Sequence, residues 1–519
     1  MNAEGARISP RVWAGYGLMC LGLFMAVLDV QIVATALPDI QRGLGIPAEA
    51  MSWIQTSYLT AEVIAIPLSG LLTRALSLRV MMVMALTGFT LASAACGLSG
   101  HFTSLMIWRI IQGFFGGLII PGVFSAVFLL FTPRQEAVAT TMAGVMAMLA
   151  PTLGPTVGGW ITTYHGWHWL FFINLAPGLI TGIGVAALLP PEEHRHALLR
   201  QLDVVGLMLL AGGLAALEIG LKQGPDHGWL SRRVLVLLCG AGGGLVGFVA
   251  WSLRRRRPLV DLAVLADRKV AVATYLNFTL GLGLYGATYV MVVFLGLVRG
   301  HDALAIGRVI MVTGAAQLLS APIAVFLETR MAAGPVAAAG FALFGLGLLW
   351  GAGATPQSDF AALFWPQVIR GAALMVCILA ATRLALGHLP QAEVANASGL
   401  FNLARNLGGA VGLALIDTVI YSQTPRHVAA IVAALRRGDV SVATQLGLPI
   451  DDFLAMHGQT PDAETRALLA PLVQHLAMSQ TIDIAWMVMG GLTLLAPVMV
   501  LLMLSRLERT ALKASTVRR

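Results

Sequence analysis

The feature that most constrains this chain is a series of fourteen long apolar runs, separated by short segments that carry charges, prolines or turn residues. Each run is about 20 residues long or longer, the length that an α-helix needs to cross the hydrocarbon core of a bilayer. Only 11% of the residues are charged, whereas soluble proteins carry about 25%. We therefore predict an all-α membrane protein with 14 transmembrane helices near residues 14–37, 51–72, 80–99, 104–131, 137–163, 167–189, 203–221, 232–253, 270–298, 306–326, 333–351, 361–386, 394–421 and 482–505.

The distribution of Lys and Arg predicts the orientation of these spans. With a cytoplasmic N-terminus, 20 basic residues fall in cytoplasmic segments and 6 in short outer loops, and 4 more lie in the long 422–480 loop. Short loops rich in Lys and Arg stay in the cytoplasm. We therefore expect both termini in the cytoplasm, the chain in a bacterial inner membrane and the 422–480 loop in the periplasm. The run from Arg254 to Arg257 is expected to contact anionic lipids and not nucleic acid.

The sequence lacks the motifs that enzymes and ATP-driven pumps use. It contains no P-loop, no cluster with metal-ligand spacing and no nucleophile elbow. The four cysteines lie inside apolar runs without a CxxC spacing, which is typical of small buried hydrophobic residues. We expect a protein that is not an enzyme and that binds neither a metal nor a cofactor.

An internal repeat divides the chain. Three landmarks recur in the same order with an offset of 254 to 258 residues: Ile66-Pro67-Leu68 as Ala321-Pro322-Ile323, Gly113 as Gly371, and Gly154 with Gly158 as Gly408 with Gly412. Two parallel six-helix repeats with a cavity at their interface form a transporter architecture. The predicted units are an N-terminus 1–13, a first half 14–189, an inserted helix pair 203–253, a second half 270–505 that includes the 422–480 loop, and a tail 506–519.

Several motifs resemble those of one family. They are Leu28-Asp29 leading to Ala36-Leu37-Pro38, Arg109-Ile110-Ile111-Gln112-Gly113, Gly154-Pro155-Thr156-Val157-Gly158-Gly159, and Trp167-His168-Trp169 leading to Asn174. The chain thereby resembles the fourteen-span drug:proton antiporters of the major facilitator superfamily, the EmrB/QacA type. The resemblance implies the major facilitator fold and export of hydrophobic or amphiphilic toxic compounds, driven by the proton gradient without a cofactor. It also implies a periplasmic membrane-fusion adaptor and an outer-membrane channel as partners.

One motif of this family is degraded here. The loop after span 2 usually reads G-x-L-x-D-R-x-G-R-R, but Gly70 is followed by Thr73-Arg74-Ala75 and Ser77-Leu78-Arg79. The acidic residue and the second glycine are missing. A charge latch that relies on that aspartate is therefore not expected.

Three charged residues inside spans are candidates for proton coupling: Asp29, Glu62 and Arg109. Counted from the outer helix ends at 1.5 Å per residue, they lie ~12, ~16 and ~8 Å deep, so they are predicted to share one cavity. Charges inside a membrane are costly, so they usually mark a function. The alternative is a static pair of Asp29 and Arg109 that only holds spans 1 and 4 together.

The other candidates fall into three groups. Gln112, Gly113 and Gly117 are predicted to pack span 4, and Gly154, Pro155, Gly158 and Gly159 to bend and pack span 5, either for transport or as ordinary packing. A substrate cavity is predicted from Tyr285, Tyr289, Arg370, Asn402, Arg405 and Asn406. The two arginines of this group have no carboxylate at their depth in the second half, since Glu218, Asp417 and Asp483 lie near outer helix ends, where they are expected to reach water.

The 422–480 loop is predicted to be partly helical. An apolar stripe at helical spacing consists of Leu468, Leu469, Leu472, Val473, Leu476 and Ala477. It is expected to lie on the membrane, cap the cavity or bind the adaptor.

The sequence thus favours a proton-coupled multidrug exporter. One alternative is an exporter of the same fold for a dedicated metabolite, siderophore or organic anion. The other is a transport-like membrane sensor.

Overall fold

The computed structural model describes residues 9–191, 202–255, 258–389, 391–455 and 463–517. Within them, fourteen helices are long and apolar enough to cross a membrane, which confirms the predicted fold class. We call them spans 1 to 14: Pro10–Thr35, Trp53–Leu76, Leu78–Gly97, Phe102–Leu130, Pro133–His165, Leu175–Leu188 (after a short turn of helix, Trp169–Phe172), Val204–His227, Arg232–Arg254, Arg268–Val293, Ala303–Arg330, Ala333–Trp350, Phe360–Leu386, Gln391–Arg436 and Ala463–Val517. Arg256 and Arg257 of the predicted lipid-binding run lie outside the described residues.

Successive spans cross the membrane in opposite directions. We call the side on which span 1 begins the N-terminal side, and the other the opposite side. Spans 1, 5, 7, 9 and 13 run from the N-terminal side to the opposite side, and spans 2, 4, 10, 12 and 14 run back.

Many of the helix starts follow from capping chemistry. Side chains of Ser9, Asp203, Asp267, Asp302 and Asp359 accept hydrogen bonds from the first free backbone N–H groups of the spans they precede. Those N–H groups have no partner within the helix.

The two halves repeat the same glycine contact. A Cβ atom at Gly113 of span 4 would collide with the carbonyl oxygen of Tyr58 in span 2. A Cβ atom at Gly371 of span 12 would collide with the carbonyl oxygen of Thr313 in span 10. Because both glycines allow the same close approach of equivalent spans, the repeat inferred from the sequence is present in the packing.

The halves meet along two seams. In the first, Gly159 of span 5 lies against the Ala303 carbonyl, and Gly307 of span 10 lies against the Pro155 carbonyl. In the second, span 2 packs on span 13. At the opposite side, Gly296 after span 9 also contacts Pro38 after span 1, so this end of the interface is closed.

The inserted spans 7 and 8 lie beside the second seam. They pack on each other where Gly213 faces Gly244. Towards the seam, an apolar cluster joins them to spans 2 and 13; it includes Val63, Leu210, Leu214, Phe248, Leu400 and Leu403.

The described residues of the 422–480 segment, 422–455 and 463–480, are mostly helical, in line with the expectation of a partly helical loop, and we call them the lobe. Span 13 continues to Arg436 and span 14 begins at Ala463, so both helices extend beyond the predicted ends at residues 421 and 482. Between them lie two short helices, Val440–Gln445 and Ile450–Ala455. A small apolar core contains Ile431, Leu446, Val473, Leu476 and Ala477. Half of the predicted stripe is therefore buried, whereas Leu468 is 67% exposed.

Candidate functional site

Asp29 lies at the centre of a buried network inside the first half. Its Oδ2 atom is 2.6 Å from Arg109 Nη1, and both side chains are 0% exposed. Its Oδ1 atom accepts hydrogen bonds from Gln112 Nε2 at 2.9 Å and from Asn174 Nδ2 at 2.8 Å. Both carboxylate oxygens are thus occupied by donors from spans 4 and 6.

Arg109 is fixed on several sides. Its Nε atom donates to the Ile54 carbonyl at 3.1 Å, Nη1 also donates to Gln112 Oε1 at 2.7 Å, and the guanidinium lies 4.3 Å from the Tyr58 ring centre. The Nη2 atom is buried and has no hydrogen-bond partner among the described residues. One strong donor therefore remains for a water molecule or another ligand.

Glu62 occupies a different position, at the seam between the halves. It is 3% exposed on span 2, and its carboxylate interacts with Arg405 and with the side-chain amide of Asn406, both on span 13. Arg405 thus has no carboxylate at its depth within the second half but interacts with one that comes from the first half. Tyr285 of span 9 lies beside the same pair.

The predicted cavity residues do not form one group. Arg405, Asn406 and Tyr285 gather around Glu62, whereas Asn402 donates to the Ser398 carbonyl of its own helix at 3.0 Å. Arg370 is buried in the second half with Gln367, Thr313 and the Trp486 ring. Tyr289 is fully buried and donates to Asp417 Oδ1 at 2.7 Å.

The glycine motif of span 5 packs that helix on two neighbours. Gly154 faces Gln31 and Gly158 faces the backbone of Ile32, both on span 1. Gly159 and Pro155 face span 10 of the other half. In span 4, Gly113 and Gly117 allow close contact with the backbone of span 2 at Tyr58 and Glu62.

Several functional side chains have roles that sequence reasoning missed. Gln112 was predicted as a packing residue, but its side-chain amide donates a hydrogen bond to Asp29. Asn174 was noted only as the end of a motif and was assigned no role, but it also donates to Asp29. Asp417 and Glu218 were expected to reach water, yet they are only 4% and 8% exposed. Asp483 accepts a hydrogen bond from the Gly353 N–H at 2.8 Å.

Comparison with known proteins now assigns the family. The Major Facilitator Superfamily model matches residues 19–413. The chain belongs to this superfamily. It is 38% identical to the Colistin resistance protein EmrB of Acinetobacter baumannii over 431 residues, covering 82% of this chain and 84% of that protein. It is 30% identical to the Multidrug export protein EmrB of Escherichia coli K12 over 412 residues, covering 79% and 80%.

Solved structures of the superfamily share the fold. A structure of proton dependent oligopeptide transporters superimposes with a TM-score of 0.62 at 12% identity, covering 96% of this chain and 99% of the other. The chain is thus a multi-pass membrane protein of the EmrB type, in a superfamily of transporters.

Proposed function

We propose that this protein is a proton-coupled multidrug efflux antiporter, which exports hydrophobic or amphiphilic toxic compounds across a bacterial inner membrane. The fold supplies two halves that rock around a shared interface. The proton gradient is the energy source, and no cofactor is needed. The names of the EmrB relatives support multidrug export as the activity.

The observation that carries proton coupling is the position of Glu62. This carboxylate belongs to the first half, whereas its cationic partner Arg405 belongs to the second. A motion that separates spans 2 and 13 takes the guanidinium away from the carboxylate and admits water. The affinity of a carboxylate for a proton depends on nearby charge and on hydration. Rocking of the halves and proton exchange at Glu62 are therefore linked.

Asp29 and Arg109 take a complementary part. All the partners of Asp29 move with the first half, so rocking alone leaves this network intact. Arg109 also contributes to the charge environment of Glu62. We therefore assign Asp29 to holding Arg109 in place and to exchanging a proton only when the network rearranges.

Substrate-induced proton release from everted membrane vesicles tests this assignment. Glu62→Gln and Asp29→Asn are each expected to abolish proton release, whereas the control Glu49→Gln, outside the spans, keeps it. Arg405→Gln is expected to retain binding but to change the pH dependence of transport. Normal proton release from Glu62→Gln would refute the role of Glu62.

The substrate class rests on the names of the relatives. The electrostatic interaction of Arg405 with Glu62 makes this arginine less available to an organic anion. Drug susceptibility of a strain without its own pumps, with and without this protein, tests the activity. Protection against a single metabolite class only would favour the dedicated exporter.

We assign the N-terminal side to the cytoplasm, because basic residues are concentrated there. The lobe then lies in the periplasm. There we propose that it binds a membrane-fusion adaptor through exposed apolar side chains, which include Leu468, Leu472 and Leu454. Glu464→Cys should react with an impermeant maleimide in intact spheroplasts, and Leu468→Cys should crosslink to the adaptor. Labelling only after lysis would contradict the topology, and outward labelling without a crosslink would contradict the adaptor.

A further inference from the structure

A buried polar cluster at the opposite-side end of the seam has no part in the proposed coupling. Lys222 Nζ of span 7 lies 3.3 Å from Asp417 Oδ2 of span 13, and the two side chains are 4% and 5% exposed. Lys222 also donates to the hydroxyl of Ser52, which in turn donates to Asp417. Tyr289 donates to the second oxygen of Asp417 at 2.7 Å. We call these four residues the end cluster.

The end cluster joins three separate units of the chain. Ser52 stands at the start of span 2 in the first half, and Asp417 belongs to the second half. Lys222 comes from the inserted pair, and its ammonium lies 4.5 Å from the ring centre of Trp53, also in the first half. The contacts of Lys222 therefore tie the inserted pair to the second half through Asp417 and to the first half through Ser52 and Trp53.

Neighbouring contacts show that this end is where the interface is closed. Pro38 contacts Gly296, and the N–H of Leu304 donates to Thr163 Oγ1 at 3.2 Å. Both contacts also link the first half to the second. Opening the cavity to the opposite side must separate Ser52 from Asp417 together with these groups.

Span 7 has anchors besides the ion pair. One turn before Lys222, Glu218 Oε2 accepts a hydrogen bond from Thr60 Oγ1 of span 2 at 2.6 Å. Leu210 and Leu214 of span 7 pack in the apolar cluster that also contains Leu403 of span 13. Glu218 also interacts electrostatically with Lys222, so Asp417→Asn, which leaves Lys222 beside Glu218, tests the ion pair most directly.

We propose that Lys222 is a positioning residue of the opposite-side gate, through which the inserted helix pair stabilises the closed state. This inference rests on the alternating access of the proposed function. A buried charge whose partner is removed is strongly destabilising, whereas an open gate hydrates both groups. Loss of either charge should therefore shift the population towards the state open to the opposite side.

The test uses a reporter cysteine at Ala303, which is 1% exposed and packs on Gly159 across the interface. In a chain whose four native cysteines are replaced, an impermeant maleimide is added from the opposite side. Lys222→Met and Asp417→Asn should each increase the labelling rate at least about fivefold, because removing one partner of a buried ion pair is strongly destabilising.

Lys269→Met is the matched control, since it makes the same change at the N-terminal end of span 9. Thermal stability in detergent, measured for each variant, identifies a variant that is merely misfolded; Lys222→Arg, which keeps the charge, should label like the parent. Unchanged labelling in folded Lys222→Met and Asp417→Asn would overturn the proposal. The assay needs neither substrate nor a proton gradient, so a failure of the proposed transport activity would show separately.

Discussion

Spans 4 and 12 each hold a buried arginine and a glutamine three residues apart, but in reversed order: Arg370 stands where Gln112 stands in the first half, and Gln367 where Arg109 stands. Arg109 of span 4 and Arg370 of span 12 each bond to a glutamine three residues away in their own helix, Gln112 and Gln367. In the first half, Arg109 Nε donates a hydrogen bond to the backbone carbonyl of Ile54 in span 2. In the second half, Gln367 Nε2 donates one to the backbone carbonyl of Val309 in span 10. Each guanidinium also lies over an aromatic ring, Tyr58 in one case and Trp486 in the other.

A second difference is the carboxylate. Asp29 of span 1 forms an ion pair with Arg109, whereas span 9, the equivalent helix, has neither Asp nor Glu between Arg268 and Val293. Arg370 therefore has no ion-pair partner among the described residues. Both halves hold a buried guanidinium beside a glutamine, and only the first half adds an acid that forms an ion pair with it. The presence of an ion pair in one half and not in the other thus depends on a single side chain, Asp29.

The strongest way to break this comparison is Asp29→Asn. The substitution leaves the first half like the second, with a buried arginine and no acid. We expect loss of proton-driven efflux by about two orders of magnitude, and destabilisation by ~3 kcal/mol because Arg109 loses its counter-charge. Vesicle transport and thermal unfolding in detergent measure the two effects. Asp483→Asn, near the opposite-side end of span 14, is the control. Full activity of Asp29→Asn would show that the pair of Asp29 and Arg109 is only structural.

Arginine-to-lysine changes in each half sharpen the comparison. Lysine cannot reproduce the fork that Arg109 places on Asp29, Gln112 and the Ile54 carbonyl. Arg109→Lys should therefore lower transport by about tenfold and alter its pH profile. Arg370→Lys loses only neutral hydrogen bonds, and we expect transport within about threefold of the parent. Equal losses at both sites, or an unchanged pH profile for Arg109→Lys, would remove the distinction between the halves.

The sequence predicted the spans well because a helix in lipid needs a continuous apolar run, which can be read locally. It placed the end of span 13 too early and the start of span 14 too late, because helices in the lobe bury only one stripe, through Val473 and Leu476. Polar residues separate the apolar positions of that stripe, so the lobe has no continuous apolar run of the kind that marks a span.

The parts of the site that the sequence missed depend on contacts between distant residues. The depth of Glu62 was readable, but its partner Arg405 follows it by more than 300 residues and belongs to the other half. From the sequence, Asp417 was expected to reach water near a helix end, but Lys222 and Tyr289 bind its carboxylate in the folded protein. Gln112 and Asn174 carry no charge, so their place beside Asp29 follows only from the packing of spans 1, 4 and 6.

The turns on the N-terminal side differ between the halves as well. Between spans 2 and 3, Ser77 has φ of 78°, whereas Met331 between spans 10 and 11 has φ of −123°. Ser77 stands where the family motif has glycine, and a side chain at this φ is strained. Ser77→Gly should therefore stabilise the protein by ~1 kcal/mol, less a few tenths for the lost cap on Val80 N–H. Thermal unfolding measures the gain; Met331→Gly is the control and should destabilise, and a loss of stability in Ser77→Gly would show that the turn is unstrained.

The smallest expected effect concerns the caps of spans 1 and 9, where Ser9 in the first half is matched by Asp267 in the second. Burial alone would raise the pKa of Asp267, but hydrogen bonds from His388 and from the N–H groups of Val270 and Lys269 lower it below its ordinary value. A carboxylate with a lowered folded pKa contributes stability above its unfolded pKa, and that contribution disappears as the pH falls through the folded value.

Asp267→Ala should therefore cost ~1 kcal/mol at neutral pH, a modest amount because the pair is partly exposed and screened by solvent. The cost should shrink as the pH falls below ~4, the ordinary pKa of Asp. Because the serine hydroxyl does not titrate, Ser9→Ala should lower the free energy of unfolding by ~1 kcal/mol at every pH. Unfolding in detergent at pH 3 and pH 7 compares the two variants, and a pH-independent loss in Asp267→Ala would show that this cap acts by geometry alone.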